Sequence, residues 1–183
     1  MKLNSPTTAA CEHGAGQDAP RVKYSIIVPF YNEAGIVAKL HNRIARVMRH
    51  MGRTYEAIYI NDGSSDSTAE VLEAIAIEDP HVTFLDLRRN FGQTTALQAG
   101  LDHASGEVII AMDGDLQHDP YEIPIFVRKI DEGYDIASGW RVRRGDNYLL
   151  RRFPSRIANW LLAKVSGVDL HDFGTTFKAY RRE

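Results

Sequence analysis

The 183 residues carry 22 Lys and Arg against 24 Asp and Glu, a net charge of −2. That balance excludes a general nucleic-acid binder, which carries a strong basic excess. At 44% hydrophobic and 25% charged, the composition is that of one globular domain, long enough to bury most of its apolar surface. A single cysteine, Cys11, excludes an internal disulfide and fits a reducing compartment, and no apolar run approaches the roughly 20 residues that span a bilayer.

Residues 1–20 are rich in Ser, Thr, Ala, Gly and Asp and lack the apolar stretch of a signal peptide, so they read as a disordered tail. Cys11, Glu12 and His13 fall within it and read as solvated residues rather than metal ligands. The remainder, 21–183, reads as one domain. Tyr24-Ser-Ile-Ile-Val-Pro-Phe30 is a first strand, followed by a helix over about 34–51. That helix sets Ile36, Val37, Leu40, Ile44, Val47 and Met48 on one side and Lys39, Arg43, Arg46 and Arg49 mostly outward. A second strand over 56–60 leads into Asn61-Asp-Gly-Ser-Ser-Asp66, and Ser67 with Glu70 has capping-box spacing for a helix running to about Ile77. A third strand over 81–87, a third helix over 94–104 and a fourth strand over 107–112 follow. Alternation at this spacing predicts a mostly parallel sheet with helices on both faces. Beyond it the pattern loosens into a helix over 121–130, a short strand over 134–138 and a basic amphipathic helix over 149–165. Phe173 to Glu183 reads as an element still under way, the end of a fragment or a compact ending.

Glu107-Val-Ile-Ile-Ala-Met112 is short, apolar and rich in β-branched residues, as suits a central parallel strand, and it delivers Asp113-Gly-Asp115 at its end. Two carboxylates there suit a hard divalent cation such as Mg²⁺ or Mn²⁺, with further oxygens from phosphate and water. A lone Asp-Gly turn is the plainer alternative. It weakens because acidic groups follow two other strands, Glu33 after the first and Asp62 after the second. Loops after parallel strands emerge on one edge, so these carboxylates converge. Such a set offers acceptors for a nucleotide's base and ribose, and a metal for its phosphates.

In Val28-Pro-Phe-Tyr-Asn-Glu33, Asn61-Asp-Gly-Ser-Ser-Asp66, Arg89-Asn-Phe-Gly92, Gly100 to Gly106 and Met112 through Pro120, the chain resembles the family-2 glycosyltransferases of the GT-A fold. The likeness runs from Tyr24 to the C-terminus and is nearest to the polyprenyl-phosphate branch, which includes dolichol-phosphate mannose synthase and bacterial undecaprenyl-phosphate sugar transferases. The resemblance implies an α/β GT-A fold in which Pro29, Tyr31, Glu33, Asp62 and Asp113 bind nucleotide. It implies that Asp113, Asp115 and Gln117 surround the metal, and that Asp115, Arg141 and Asp172 are catalytic. Asn61 stands where many relatives have a second aspartate. Asp66 reads as a helix-starting residue, and His118 as a neighbour of the pair rather than a ligand.

Between Arg141 and Arg156 lie six arginines and one acid, Asp146. Guanidinium forks suit phosphate oxygens, and a basic amphipathic stretch suits an anionic membrane; a solvated face is the plainer reading. The resemblance implies that Arg141, Arg151 and Ser155 hold the acceptor phosphate, with Arg152 and Arg156 as helpers or facing headgroups. By the same resemblance, Asp172 is a candidate to face the acceptor and Lys178 to lie near phosphate; a turn aspartate is the alternative for Asp172.

Together these imply an inverting, metal-dependent transfer of a sugar from a UDP- or GDP-linked donor to a polyprenyl phosphate. The expected place is the cytoplasmic face of the membrane, peripherally bound, as a homo-oligomer or beside a membrane-embedded partner subunit. Two rivals stand beside it. An aspartyl-phosphate phosphatase also uses Asp-x-Asp, but usually after its first strand. A non-catalytic module that binds nucleotide-sugar or membrane, or an enzyme of this family with another acceptor, would use the same residues.

Overall fold

The computed structural model describes residues 22–139 and 175–182. Its first strand, β1 (Tyr24–Phe30), is buried at all seven positions and forms the centre of the sheet. Helix α1 (Ala34–Met51) carries the chain over to β2 (Tyr55–Asn61), which lies parallel to β1 with Tyr24 opposite Tyr55. Helix α2 (Thr68–Glu78) and strand β3 (Val82–Asp86) extend the sheet in the same direction. Helix α3 (Gln93–His103) then returns across the sheet to β4 (Val108–Ala111), which pairs parallel with the other edge of β1. Because the chain winds one way from β1 to β3 and then the other way to β4, a crevice opens where β1 and β4 end.

After β4 comes a 3₁₀ turn (Pro120–Glu122) and helix α4 (Ile123–Asp131). The single helix anticipated over 121–130 is thus split. Asp119 accepts a bond from the Tyr121 N–H at 3.1 Å, and Pro120 and Pro124 begin the two pieces without needing the N–H donors that helix starts leave unpaired. Strands β5 (Ile136–Ser138) and β6 (Lys178–Arg181) complete the order β3-β2-β1-β4-β6-β5. Both β6 pairings are antiparallel, which is the loosening legible after the aspartate pair. The helix anticipated over 149–165 lies outside the described residues.

Residue alternation along the strands divides the core. One face gathers Ile26, Val28, Tyr59 and Ile110 beneath Val37, Leu40 and Ile44 of α1, Leu72 of α2, and Phe126 and Ile130 of α4. The other face sets Ile27, Ile58, Ile60 and Ile109 against Ala96 of α3. Each fully buried large aliphatic side chain contributes about 1.5–3 kcal/mol. Helix α1 stops at Gly52, whose left-handed φ of 63° lets its N–H reach the carbonyls of Met48 and Arg49. The capping box expected at Ser67 and Glu70 does not form; Ser67 makes no side-chain cap. Asp66 takes that role, accepting from the Thr68 N–H at 3.0 Å and from the Ala34 N–H at 3.3 Å, so one carboxylate starts two helices.

At the opposite edge of the sheet, the Ser25 hydroxyl donates to Glu56 at 2.6 Å and accepts from the Gly106 N–H at 2.8 Å. A Cβ on Gly106 would stand 2.7 Å from the Ser25 backbone nitrogen and 2.8 Å from the Tyr24 carbonyl carbon. Gly106→Ala is therefore expected to destabilise the fold by roughly 1–3 kcal/mol. Urea unfolding checks this, as a lowered midpoint with an unchanged slope; an unchanged midpoint would mean the backbone approach is not tight.

Candidate active site

The crevice at the ends of β1, β2 and β4 is a cavity of about 530 Å³. Pro29, Tyr31, Glu33, Asp62, Asp113, Asp115 and Gln117 all line it, so these residues, scattered over nearly 90 positions of sequence, meet in one place. Asn90, Gly92, Gln93 and Thr176 line it too.

Asp62 directly follows β2 and is 3% exposed. Its two carboxylate oxygens accept from the Phe91 N–H at 2.8 Å and the Gly92 N–H at 2.9 Å, clamping the segment that starts α3. Gly63 makes this approach possible. It has a φ of 64°, and a Cβ there would meet the Arg89 carbonyl carbon at 2.2 Å. The Asn-Asp-Gly and Arg-Asn-Phe-Gly stretches are thus two halves of one joint. Asp62 retains lone pairs toward the cavity beyond those two bonds. Asn61 donates through Nδ2 to the Asp86 carboxylate at 2.7 Å and accepts from the Ser64 N–H at 3.1 Å. An aspartate here would set two negative charges together, so the amide at 61 is matched to the acid at 86.

The loop after β1 turns at Asn32, with a φ of 56°, a left-handed conformation that asparagine tolerates. Asn32 is pinned by its own N–H to the Ser64 hydroxyl at 2.9 Å and by the Ser65 N–H to its Oδ1 at 2.8 Å. Glu33 follows, its N–H bound to the Thr68 hydroxyl at 2.8 Å. Partial burial raises the Glu33 carboxyl above the ordinary glutamate range, and the negative charges of Asp115 and Asp66 raise it further. Asp66 is held below its usual range, first by the Thr68 hydroxyl.

Asp113 and Asp115 leave β4 around Gly114. A Cβ on Gly114 would lie 2.6 Å from the Phe30 ring and 2.8 Å from the Pro29 carbonyl oxygen, so the loop lies directly on β1. Leu116 takes a φ of 60°, which costs a branched residue about 1–3 kcal/mol. It is partly buried against the larger core, which compensates. Asp115 accepts from the Gln117 N–H at 2.9 Å. One Asp113 oxygen accepts from the Gln93 side-chain amide, and the other lies 3.3 Å from Nε2 of the buried His118. His118 in turn rests on Phe177, with ring centroids 5.1 Å apart, so it supports Asp113 from behind rather than sitting at the surface. Gln93 also donates to the Thr176 hydroxyl at 3.1 Å, joining the aspartate loop to the segment that enters β6.

Among the described residues, no group of three or more His, Cys, Asp or Glu side chains is arranged to hold a metal ion. The expected donor set is two carboxylates and the Gln117 amide, all hard oxygens, and its members line the cavity. It fits a Mg²⁺ or Mn²⁺ ion whose remaining ligands come from a bound phosphate and water. Asp172, Arg141, Arg151 and Ser155, with Arg152 and Arg156, lie outside the described residues. Lys178 pairs with Ala111 in the sheet and does not line the cavity. Asn90, Gln93 and Thr176 were not singled out from sequence. Asn90 lies within the Arg-Asn-Phe-Gly motif and Gln93 follows it, which was the available signal, and Thr176 lies in the segment between Asp172 and Lys178.

A mostly parallel α/β sheet with an acidic crevice at its switch point is the arrangement expected of the GT-A fold. Residues 25–183 match Glycosyl transferase family 2, and the chain belongs to that family. It is 43% identical over 159 residues to an undecaprenyl-phosphate 4-deoxy-4-formamido-L-arabinose transferase of Shewanella sediminis, covering 86% of this chain and 48% of that protein. It is 39% identical over 177 residues to a dodecaprenyl-phosphate galacturonate synthase of Rhizobium johnstonii, covering 96% of this chain and 52% of the relative. The chain thus spans about half the length of the curated relatives it matches. Among solved structures it is similar to a mannosyltransferase from Pyrobaculum calidifontis in complex with GDP-Man and Mn²⁺, with a TM-score of 0.62 at 22% identity over 93% of this chain and 48% of that one. It is also similar to glucosyl-3-phosphoglycerate synthase of Mycobacterium tuberculosis in complex with UDP, with a TM-score of 0.64 at 19% identity over 87% of this chain and 57% of the other.

The Asp62 joint makes a direct prediction. In Asp62→Asn one N–H faces an amide NH₂ instead of an oxygen, and a hydrogen bond to a charged group, worth roughly 1.5–3 kcal/mol, is lost. Hydrogen exchange at the Phe91 or Gly92 amide is expected to accelerate at least tenfold, with the strands of the sheet unaffected. Unchanged protection at both amides would mean the carboxylate does not hold the loop.

Proposed function

We propose that this chain transfers a sugar from a UDP- or GDP-linked donor to a polyprenyl phosphate at the cytoplasmic face of the membrane, with inversion at the anomeric carbon. The observation that carries the reading is the meeting of Glu33 and Asp62 with the Asp113 and Asp115 pair in one cavity. The roughly 40% identity to an undecaprenyl-phosphate sugar transferase and a dodecaprenyl-phosphate galacturonate synthase supports the acceptor class.

In this reading Pro29, Tyr31, Glu33 and Asp62 receive the nucleoside, with carboxylate oxygens accepting from base and ribose. Asp113, Asp115 and Gln117 hold Mg²⁺ or Mn²⁺, which when bound supplies positive charge against the departing diphosphate. Gln93 and His118 keep Asp113 aimed into the cavity. An oxygen of the lipid phosphate forms the new bond to the anomeric carbon from the side opposite the donor's diphosphate. The old carbon–oxygen bond breaks, and the nucleoside diphosphate leaves with its electrons. Phosphate is already anionic at neutral pH, so the chain need not provide a strong base. Orientation by Arg141, Arg151 and Ser155, and by Asp172 facing the acceptor, supplies much of the rate.

The test is release of UDP or GDP from a panel of nucleotide-sugars, with and without Mn²⁺ or Mg²⁺ and undecaprenyl phosphate. Release that requires both metal and lipid is expected. Donor binding without lipid-stimulated release would instead identify a nucleotide-sugar-binding module or a different acceptor.

Two substitutions sharpen it. Asp115→Ala is expected to reduce turnover at least a hundredfold, the scale on which loss of charge stabilisation at a reacting centre is felt; metal-independent activity surviving in this variant would contradict the assignment. Arg151→Ala is expected to raise the lipid KM about tenfold or more while leaving nucleotide affinity intact, as suits loss of one charge-assisted phosphate contact. A fall in nucleotide affinity would place Arg151 on the donor side.

A further inference from the structure

Helix α1 carries a charge pattern that the crevice does not use. Lys39, Arg43, Arg46 and Arg49 recur at intervals of three and four residues, His50 follows Arg49, and no Asp or Glu occurs in the helix. At 3.6 residues per turn these side chains fall within roughly a third of the helix circumference. That sector lies opposite the face that buries Leu40, Ile44 and Val47. Lys39, Arg46, Arg49 and His50 are exposed. Lys23 and Lys129, by contrast, are paired, with Glu107 at 2.7 Å and with Glu132 at 2.6 Å. Among the described residues, Lys39, Arg43, Arg46 and Arg49 form no ion pair. An unpaired basic stripe in a chain of net charge −2 is a segregated field rather than an even coat of charge.

Beside the stripe lies a second cavity, of about 660 Å³, between α1 and the turn at Pro120–Glu122. Arg46, Arg49 and His50 share its wall with Val47, Tyr121 and Pro124. Tyr121 is 50% exposed and Ile125, four residues further on, is 55% exposed. Guanidinium groups suit phosphate oxygens, while an exposed tyrosine and isoleucine suit the boundary between headgroup and acyl chain. A soluble polyanion would use the arginines and leave those apolar groups in water.

We propose that this outward face of α1, with Tyr121 at its side, docks on an anionic phospholipid bilayer. The inference deepens the reading above, from which it takes only that the acceptor resides in a membrane. The fold places the two features usefully. Helix α1 starts at the cavity, where Glu33 precedes its first residue, and Lys39 lies about 9 Å further along the axis at 1.5 Å per residue. A helix lying flat on the bilayer therefore brings the crevice to the level of the headgroups, where a lipid phosphate is presented.

The test is co-sedimentation of the 183-residue chain with vesicles of phosphatidylcholine alone or mixed with phosphatidylglycerol. Binding is expected to the mixed vesicles only, and to weaken as salt is raised. The triple substitution K39Q/R46Q/R49Q keeps good helix formers and is expected to weaken binding about a hundredfold, at about fivefold per basic residue near an anionic surface. UDP or GDP affinity and the unfolding midpoint should not change. K39E/R46E/R49E should abolish binding if it folds. Equal binding to neutral vesicles, or undiminished binding of the triple Gln variant, would overturn the proposal and pass the role to another surface such as the 141–156 arginines. Sugar transfer to undecaprenyl phosphate in detergent micelles is measured in parallel. Its failure in the unsubstituted chain would sink the functional reading alone, and its retention in the triple variant would separate docking from chemistry.

Discussion

Two backbone N–H groups, those of Phe91 and Gly92, end on the two oxygens of a single buried carboxylate, Asp62. Much of the site depends on that arrangement. It ties the end of β2 to the start of α3, and so sets where Gln93 begins the helix and what Gln93 can reach. Gln93 then bonds to Asp113 beyond β4 and to Thr176 before β6. Three crossings of the sheet are linked through one acid and one amide. The joint works only because Gly63 offers no Cβ to the Arg89 backbone. Glycine here answers both a left-handed φ and a contact too close for any side chain.

The opposite wall is built on the same economy of space. Gly114 lets the aspartate loop lie on Phe30 and Pro29, which draws Asp115 toward Glu33. The resulting concentration of negative charge is visible in Glu33, whose carboxyl holds its proton more tightly than an ordinary glutamate because of partial burial, then Asp115 and Asp66. A divalent cation would relieve that repulsion. The fold spends backbone strain at Leu116 on this geometry and offsets it by packing Leu116 on the core.

Long apolar strands and an amphipathic helix were legible because their signals are local. Tyr24–Phe30 and Ala34–Met51 fall where periodicity puts them. The convergence of Glu33, Asp62 and the Asp113 pair was legible too, since parallel strands send their loops to one edge. Asp66 was read correctly as a helix-starting residue, yet the nearby capping box does not form, and Asp66 instead accepts from Thr68 and Ala34. His118 stands against Asp113, as its proximity suggested, but its burial on Phe177 arises from a residue nearly 60 positions later. Gln93 and Thr176 were illegible for the same reason: their roles exist only once β4 and β6 are side by side. Asn61 looked like a departure from its relatives until Asp86 on the neighbouring strand explained it.

Among the described residues no group of three or more His, Cys, Asp or Glu is arranged to hold a metal ion, and the proposed cation would rest on Asp113, Asp115 and Gln117. That shortage couples metal to nucleotide: the ion should be held loosely by the protein alone and firmly once a diphosphate adds its oxygens. Titration of Mn²⁺ followed by electron paramagnetic resonance, with and without UDP or GDP, measures this coupling directly. At least a tenfold gain in Mn²⁺ affinity on adding nucleotide, beyond the affinity of free nucleotide for the ion, is the predicted result. Mn²⁺ binding that is tight without nucleotide, or unaltered by it, would contradict the account of the crevice as a shared metal and diphosphate site.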